Sequence, residues 1–283
     1  MTRPPKFTPP LGACDSHIHV YGDPAQFPSL PVHGRELELH FLDDYVAVRD
    51  ALGLSRTVII QTPYYDTDNS SILHSIAALG LENARGVAVT QPGVTEAELE
   101  TLHARGSRGL RFGIELARGM RPTHLETVAA RIAPLGWHIQ YRSTEQDLPE
   151  LSERLLALPV DVVVDHIGSI PPELGTDHPA FVVFLRMLET GRCWVKLSAA
   201  YQLSKMGAPD YSDYQTFARA LIAAAPERML WGTNWPHPKV DFMPDDADLL
   251  ETLLDWADDE AMRHKVLVDN PARLYGFDAA SEA

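Results

Sequence analysis

The stretch RTVIIQTPYYDTDNSSILHSIAALGLENARGVAVTQ (56–91) decides the fold class of this chain. Two apolar runs rich in β-branched residues, 56–63 and 85–91, flank a segment whose apolar residues recur at spacings of three and four. That spacing indicates one face of a helix, whereas short β-branched runs favour buried strands. A strand, a helix and a second strand in this order predict parallel strands joined by a crossover helix.

The same alternation of strand and helix patterns continues along the whole 283-residue chain. Amphipathic segments separate eight strand candidates, at 13–20, 56–63, 85–91, 109–113, 138–142, 161–168, 193–198 and 229–234. Eight such units predict a single-domain (β/α)8 TIM barrel over 13–277, with an N-terminal extension over 1–12 and a tail over 278–283. The alternative, an open doubly wound sheet, is disfavoured because no G-x-G-x-x-G motif follows the first strand.

The composition is typical of a folded protein and narrows the classes of function. The chain has 24 Lys+Arg against 39 Asp+Glu, a net charge of −15, and 45% hydrophobic residues. An acidic balance argues against nucleic-acid partners, because phosphate binding needs a basic face. No apolar run approaches the roughly 20 residues that span a bilayer, so no membrane association is expected.

The N-terminus and the cysteine content predict a cytoplasmic protein. MTRPPKFTPP (1–10) lacks the apolar segment of a secretory signal. Cys14 and Cys193 are too few for a disulfide framework, which favours a reducing compartment. The oligomeric state stays open.

Polar side chains end or follow most of the predicted strands, where a TIM barrel places its active site. They are His17, His19, Gln61, Thr62, Tyr64, Arg111, Gln140, Arg142, Asp165, His166, Lys196, Ser198, Tyr201, Asn234 and His237. Burying one polar group can serve a structural hydrogen bond, but a whole rim of them is costly without a function. The rim therefore predicts a functional site.

His17 and His19 end the first strand two residues apart, so both side chains are expected to face the barrel lumen. Two imidazoles in this arrangement can share a metal ion or flank a substrate carbonyl. Asp15 is ambiguous, because it can orient a neighbouring group or satisfy backbone donors.

Three motifs then resemble a known family. DSHIHVYG (15–22), VVVDHIG (162–168) and LWGTNWPHP (230–238) are similar to the amidohydrolase superfamily, and to its branch that contains 2-pyrone-4,6-dicarboxylate hydrolase and galactarolactone isomerase. The resemblance covers most of the chain. It implies a (β/α)8 barrel enzyme for small, often dicarboxylated lactones.

The departures from the family pattern bear on metal binding. Metal-using members carry a carboxylated lysine or a glutamate on strand four, histidines on strands five and six and an aspartate on strand eight. Here strand four offers Arg111, strand five has no histidine at its upper end and strand eight has Asn234. Zinc on His17, His19 and His166 is the alternative, but no protein carboxylate offsets its charge. Because the lactone-hydrolase branch works without metal, we expect no metal and no other cofactor.

Asn234 stands where the hydrolases of this branch have the aspartate that activates water, and an amide cannot take a proton near neutral pH. Three interpretations stay open. The protein isomerises lactones, as does the branch member that lacks this base, with a substrate hydroxyl attacking the carbonyl. It is a hydrolase in which His166 or His237 acts as base. Or Asn234 is an engineered replacement that traps substrate.

The resemblance also implies anion binding. Arg111 matches a family arginine that grips a substrate carboxylate, but a second family arginine falls on Ala117, beside Arg118, and a third on Gln202, beside Tyr201. Arg35 and Arg142 occupy positions where the dicarboxylate hydrolase has tyrosine. Arginine binds carboxylates through two parallel hydrogen bonds, so these residues predict a small anionic lactone as substrate. A structural pairing of Arg142 with Glu145 or Asp165 is the alternative.

Together these expectations define roles for the rim. His17, His19 and His166 are expected to polarise the carbonyl and move protons, and Asn234 to position the nucleophile. Gln61, Thr62, Tyr64 and Ser198 are expected to orient ring hydroxyls, and 23–33 to form a lid over the site. A catalytically inactive binding protein is the remaining alternative, and tight binding without conversion would identify it.

Overall fold

Eight parallel strands lie side by side in chain order in the computed structural model, which describes residues 2–32, 34–113, 116, 118–238, 240 and 242–278. The strands are β1 Cys14–Ile18, β2 Arg56–Ile60, β3 Ala84–Ala88, β4 Ser107–Phe112, β5 His138–Tyr141, β6 Val162–Val164, β7 Cys193–Ser198 and β8 Met229–Gly232. The sheet closes next to β1, where the Asn234 N–H donates to the His17 carbonyl at 2.9 Å. The (β/α)8 TIM barrel is confirmed.

A helix follows each strand and covers the outside of the sheet. The helices are α1 Leu42–Leu52, α2 Ser70–Leu79, α3 Glu96–Ala104, α4 Leu125–Ile132, α5 Asp147–Leu156, α6 Pro179–Glu189, α7 Gln215–Ala224, α8 Asp246–Trp256, α9 Glu260–His264 and α10 Asn270–Tyr275. A π-helical turn, Lys265–Asp269, joins α9 to α10. This turn was not predicted from the sequence. Apolar residues of the helices pack onto the sheet and form the main hydrophobic core.

Seven of the eight predicted strands extend too far at their C-terminal ends, whereas the strand predicted at 193–198 has the observed bounds. The strand predicted at 161–168 covers only Val162–Val164 in the structure. His166 and Ile167, which follow it, have φ angles of 54° and 53°, in the left-handed region. The first strand ends at Ile18 rather than at residue 20, and the last at Gly232 rather than at 234. Polar rim residues thus leave the hydrogen-bonded ladder, which frees the backbone to turn and direct their side chains.

A second, smaller core fills the barrel interior with strand residues such as Val58, Ile60, Val87 and Val163, packed with Tyr275 of α10. These side chains are 0% exposed. This apolar packing occupies part of the lumen and leaves the polar residues to the rim. Both cysteines are free and buried. In the part of the chain that the structure describes, each helix is too short or too polar to cross a bilayer.

Candidate active site

A cavity of about 350 Å³ lies at the rim that the strand ends form. Its lining consists of His19, Tyr21, Val32, Thr62, Pro63, Tyr64, Arg111, Arg142, Gln202, Leu203, Asn234 and Pro238. A larger cavity, about 630 Å³, lies outside the barrel beside α2 and α3. Histidine and aromatic side chains are absent from its described lining. Because TIM-barrel chemistry is located at the rim, the smaller cavity is the candidate active site.

Three imidazoles lie together at this rim, and of these His19 is among the described residues that line the cavity. The ring of His17 lies 5.1 Å from that of His19 and 4.6 Å from that of His166, measured between centroids. His17 is 0% exposed, and the other two are 4% exposed. The sequence analysis placed these residues on one rim, and the structure brings their rings into contact.

Burial keeps the three imidazoles neutral. Desolvation lowers the pKa of His17 and of His166 well below the usual value, and that of His19 to about 3. The cation of Arg111 acts in the same direction on all three. Each ring therefore offers one N–H donor and one bare nitrogen near neutral pH.

A hydrogen bond to the backbone fixes which nitrogen of His19 carries the proton. His19 Nδ1 lies 2.8 Å from the carbonyl oxygen of Ile60, which can only accept, so His19 is bare at Nε2. Lys196 Nζ and Asp165 Oδ1 each lie 3.4 Å from His17 Nδ1, and because an ammonium donates and a carboxylate accepts, these two contacts are compatible with either tautomer of His17. His17 Nε2 is buried and has no partner within the described residues. His19 Nε2 can thus accept a hydrogen bond, and His17 Nε2 is available to a substrate group.

A buried charge network supports these rings. Asp165, 0% exposed, has Oδ1 at 3.8 Å from Lys196 Nζ and at 3.4 Å from His17 Nδ1. Its Oδ2 lies 3.6 Å from Arg111 and accepts from Gln140 Nε2 at 3.2 Å. The cations, led by Lys196, lower the pKa of Asp165 in spite of its burial. Asp165 therefore balances two buried cations from strands β4 and β7.

Lys196, like Gln140, was predicted from the sequence to lie on the rim but had no predicted role. It donates to the Ser16 carbonyl and to Gln140 Oε1, each at 2.8 Å, and is 0% exposed. Desolvation lowers its pKa to about 8, while Asp165 opposes the shift. A lysine inside the apolar run CWVKLS (193–198) was the signal, since burying such a charge needs a paired acid.

Asp15 ties strand β1 to the loop after β8. Its Oδ1 accepts from the backbone N–H groups of His17 at 3.1 Å and Thr233 at 3.0 Å, and its Oδ2 accepts from Thr233 Oγ1 at 2.6 Å. Of the two roles left open for Asp15, the structure favours the satisfaction of backbone donors. This contact sets the position of Asn234 next to the imidazoles.

Asn234 begins a chain of hydrogen bonds that runs away from the cavity. Its Nδ2 donates to the hydroxyl oxygen of Tyr201 at 2.7 Å. That hydroxyl lies 3.2 Å from Nδ1 of His237, whose Nε2 lies 2.9 Å from Oδ1 of Asp246. The sequence analysis named Tyr201 and His237 but missed Asp246, because it lies at the start of α8 and far from any strand end.

Two arginines line the cavity. Arg111 donates to the Gln61 carbonyl at 2.7 Å and is 4% exposed, with Nε buried and unpartnered within the described residues. Arg142 donates to Gln202 at 3.4 Å, and neither predicted acid, Glu145 or Asp165, pairs with it in the described part of the chain. Gln202 thus stands where the resemblance placed an arginine.

The other predicted arginines lie elsewhere. Arg35 is exposed on the loop after β1, and it is not among the described residues that line the cavity. Arg118 pairs with Asp66 at 3.0 Å, and Ala117 lies outside the described residues. Most of the 23–33 loop is described, but nothing in its contacts bears on closure, so the lid stays a prediction.

The predicted hydroxyl-orienting residues divide into two pairs. Thr62 and Tyr64 line the cavity. Gln61 instead donates to the carbonyls of Asp66 and Asp68, at 3.4 and 2.5 Å, and Ser198 is bonded to His166 Nδ1 at 2.8 Å. Both of the latter side chains are engaged within the protein, and their contact with a substrate stays a prediction.

The donor set for a metal also differs from the predicted one. Ligand atoms of His17, Asp165 and His166 lie within 4.8 Å of one another, so the expectation that no carboxylate accompanies the imidazoles was wrong. The two cations described above already neutralise that carboxylate, at 3.8 and 3.6 Å. A divalent ion would add positive charge beside them, so this donor set suits a metal poorly.

Comparison with known proteins identifies the class. The model of the amidohydrolase family matches residues 14–277, and the chain belongs to that family. It is 38% identical to 2-pyrone-4,6-dicarboxylate hydrolase of Comamonas testosteroni, over 96% of this chain and 92% of the relative. It is 34% identical to D-galactarolactone isomerase of Agrobacterium fabrum, over 94% and 91%. An apo crystal structure from Agrobacterium tumefaciens superimposes with a TM-score of 0.86, at 32% identity and 98% coverage of both chains. The resemblance noted in the sequence is confirmed, and the protein is an enzyme of this family.

Proposed function

We propose that this enzyme catalyses acyl transfer at the carbonyl of a small carboxylated lactone, and that it isomerises the lactone ring rather than hydrolysing it. The names of the two relatives, a pyrone-dicarboxylate hydrolase and a galactarolactone isomerase, support the substrate class. The observation that carries the choice of isomerisation is Asn234. It lines the cavity as an amide, and 229–238 contains no aspartate or glutamate.

In this reaction a hydroxyl of the substrate attacks its own lactone carbonyl, and the ring oxygen leaves. The carbonyl oxygen gains negative charge in the transition state. His17 Nε2 lacks a partner among the described residues, and in the tautomer that has its proton on Nε2 it is suited to donate to that oxygen. One such donor contributes about 3 kcal/mol to transition-state stabilisation.

Asn234 positions the nucleophile. Its amide has two hydrogens, and one is committed to Tyr201 at 2.7 Å. The second can hold the oxygen of a substrate hydroxyl, but the amide cannot remove the proton of that hydroxyl. A water molecule at this place would be bound without being activated, which favours attack by a hydroxyl already held near the carbonyl.

The arginines make the cavity suitable for an anion in a protein of net charge −15. Arg142 has Gln202 as its side-chain partner and lines the cavity together with Arg111. A substrate carboxylate can replace that weak contact with a charge-assisted one. Arg142 is therefore the best-placed residue to select carboxylated lactones.

Replacing Arg142 by Gln is expected to raise KM for a carboxylated lactone by about 10- to 100-fold, which corresponds to the loss of a hydrogen bond to a charged group. The KM for the methyl ester of the same lactone should hardly change. Arg118→Gln is the matched control, since Arg118 pairs with Asp66 and is not among the described lining residues. Equal effects of Arg142→Gln on acid and ester would contradict the assignment.

We also propose that the reaction needs no metal ion, because Lys196 and Arg111 already balance Asp165. Prolonged treatment with a chelator should leave kcat unchanged, and elemental analysis of active protein should find less than stoichiometric metal. Activity that is lost on chelation and restored by zinc would overturn this part of the proposal.

The proposed function is tested with a panel of carboxylated sugar lactones. NMR follows the ring size, and a pH indicator follows acid release in the same sample. Isomerisation predicts a change in ring size with no net release of protons. Sustained acid release at high turnover would instead identify a hydrolase and reject the isomerase.

A further inference from the structure

The proposed chemistry needs a group that takes the proton of the attacking hydroxyl. Asn234 cannot take it. His19 Nε2 can accept a hydrogen bond, but desolvation and the nearby cations lower the pKa values of all three imidazoles, so they are weak bases for the proton of a hydroxyl. A base must therefore lie behind this first layer of residues.

We propose that Tyr201, His237 and Asp246 form a proton relay that accepts the proton of the nucleophilic hydroxyl bound at Asn234. This inference rests on the proposed function, since it supplies the base that ring isomerisation lacks. Tyr201 would be the catalytic residue that touches the nucleophile. His237 and Asp246 would act through it as positioning residues.

The direction of each hydrogen bond follows from the chemistry of the partners. The carboxylate of Asp246 accepts, so His237 carries its proton at Nε2, at 2.9 Å. Nδ1 of His237 is then bare and accepts from the hydroxyl of Tyr201 at 3.2 Å. The phenol oxygen keeps lone pairs for the Asn234 amide, at 2.7 Å, and for an incoming hydroxyl. A hydroxyl, an imidazole and a carboxylate in this order recur in acyl-transfer enzymes, where the hydroxyl is the nucleophile; here the Tyr201 hydroxyl instead passes on the proton of the substrate hydroxyl.

The residues of the relay are largely shielded from water. His237 is 3% and Asp246 6% exposed, and Tyr201 is half-buried. Tyr201 is not among the described lining residues, but its phenol oxygen lies 2.7 Å from Nδ2 of Asn234, which lines the cavity. Desolvation raises the pKa of Tyr201, so the phenol stays protonated and can pass its own proton on as it receives another.

The step balances without a co-reactant. As the nucleophile oxygen bonds to the acyl carbon, its proton moves to the Tyr201 oxygen, and the Tyr201 proton moves to His237 Nδ1. The resulting imidazolium lies against the Asp246 carboxylate, which stays ionised. When the bond between the acyl carbon and the ring oxygen breaks, the proton returns by the same route to that oxygen. Substrate and product are isomers, so the relay ends in its initial state.

The kinetic test uses Tyr201→Phe, His237→Gln and Asp246→Asn. Each should lower single-turnover isomerisation by about 10²- to 10⁴-fold, the usual contribution of a general base, with little change in KM. Tyr211→Phe is the matched control and should keep wild-type activity. The Tyr211 hydroxyl is also buried, but it has no partner among the described residues. In mixtures of H2O and D2O, the wild-type rate should curve as expected for two moving protons, and the residual rate of Tyr201→Phe should vary linearly.

A second test needs no turnover. Long-range proton–nitrogen NMR of the wild-type protein should find His237 protonated at Nε2 and bare at Nδ1. A proton on Nδ1 would overturn the relay whether or not a lactone is converted, as would wild-type rates in Tyr201→Phe. If the wild type releases acid and never changes ring size, the isomerase proposal alone fails. The three variants are then compared by acid release, and unchanged rates would again overturn the relay.

Discussion

Replacing Asn234 by Asp is expected to raise lactone hydrolysis by about 10²- to 10⁴-fold, the range that a positioned general base contributes. The new carboxylate would replace an amide that is 1% exposed and lines the cavity together with Arg111 and Arg142, which favour its ionised form. It could then remove a proton from a bound water. Acid release from a carboxylated lactone, measured beside ring size by NMR, gives the result directly.

Asn234→Ala is the control for this gain. It removes the amide without supplying a base, so it should lower isomerisation and add no hydrolysis. Hydrolysis that stays unchanged in Asn234→Asp would mean that water activation depends on another group. Strong hydrolysis by the wild type would likewise mean that another group activates water, and it would reject the isomerase proposal.

Replacing Asp165 by Asn is expected to lower the free energy of unfolding by about 3–5 kcal/mol, because it leaves two buried cations without a counter-charge. Lys196 and Arg111 lie 3.8 and 3.6 Å from the Asp165 oxygens and are 0% and 4% exposed. Chemical denaturation of the wild type and the variant measures the loss. The effect is large because one buried carboxylate pairs with cations from two strands, β4 and β7.

A double-mutant cycle with Lys196→Met tests the cause. If the pair is coupled, Asp165→Asn and Lys196→Met together should cost at least about 1 kcal/mol less than the sum of their separate effects. Arg131→Gln breaks the exposed pair with Glu96, at 2.8 Å, and should change stability by no more than about 1 kcal/mol. Additive losses in the cycle would show that Asp165 stabilises the barrel in some other way.

The prediction of the rim succeeded for residues whose position follows from strand order. His17, His166 and Asn234 come directly after or at the ends of different strands, and parallel strands in a barrel bring those ends together. The prediction of strand length failed at the same places. Polar residues there leave the hydrogen-bonded ladder, and His166 has a positive φ of 54°. The sequence pattern, an apolar run followed by polar residues, does not show where the ladder ends.

The engaged side chains could not be predicted in this way. Ser198 and Gln61 were expected to contact substrate, but each meets a group brought near by the fold, His166 in one case and the loop after β2 in the other. Asp246 was missed because it does not lie at a strand end. The packing of helix α8 brings it next to its partner His237. Such pairings depend on distances between elements, which the pattern of one element does not contain.

The sequence alone predicted the barrel and its polar rim, because these depend on local periodicity and on the identity of residues at strand ends. Its resemblance to the family implied that Asn234 replaces an acid. Only the tertiary structure decided which charges neutralise one another and where a proton can go. Lys196 meets the Ser16 carbonyl across 180 positions of the chain, and the phenol of Tyr201 meets Asn234 across 33. Electrostatic balance and proton transfer depend on separations of a few ångströms, and barrel closure sets those separations.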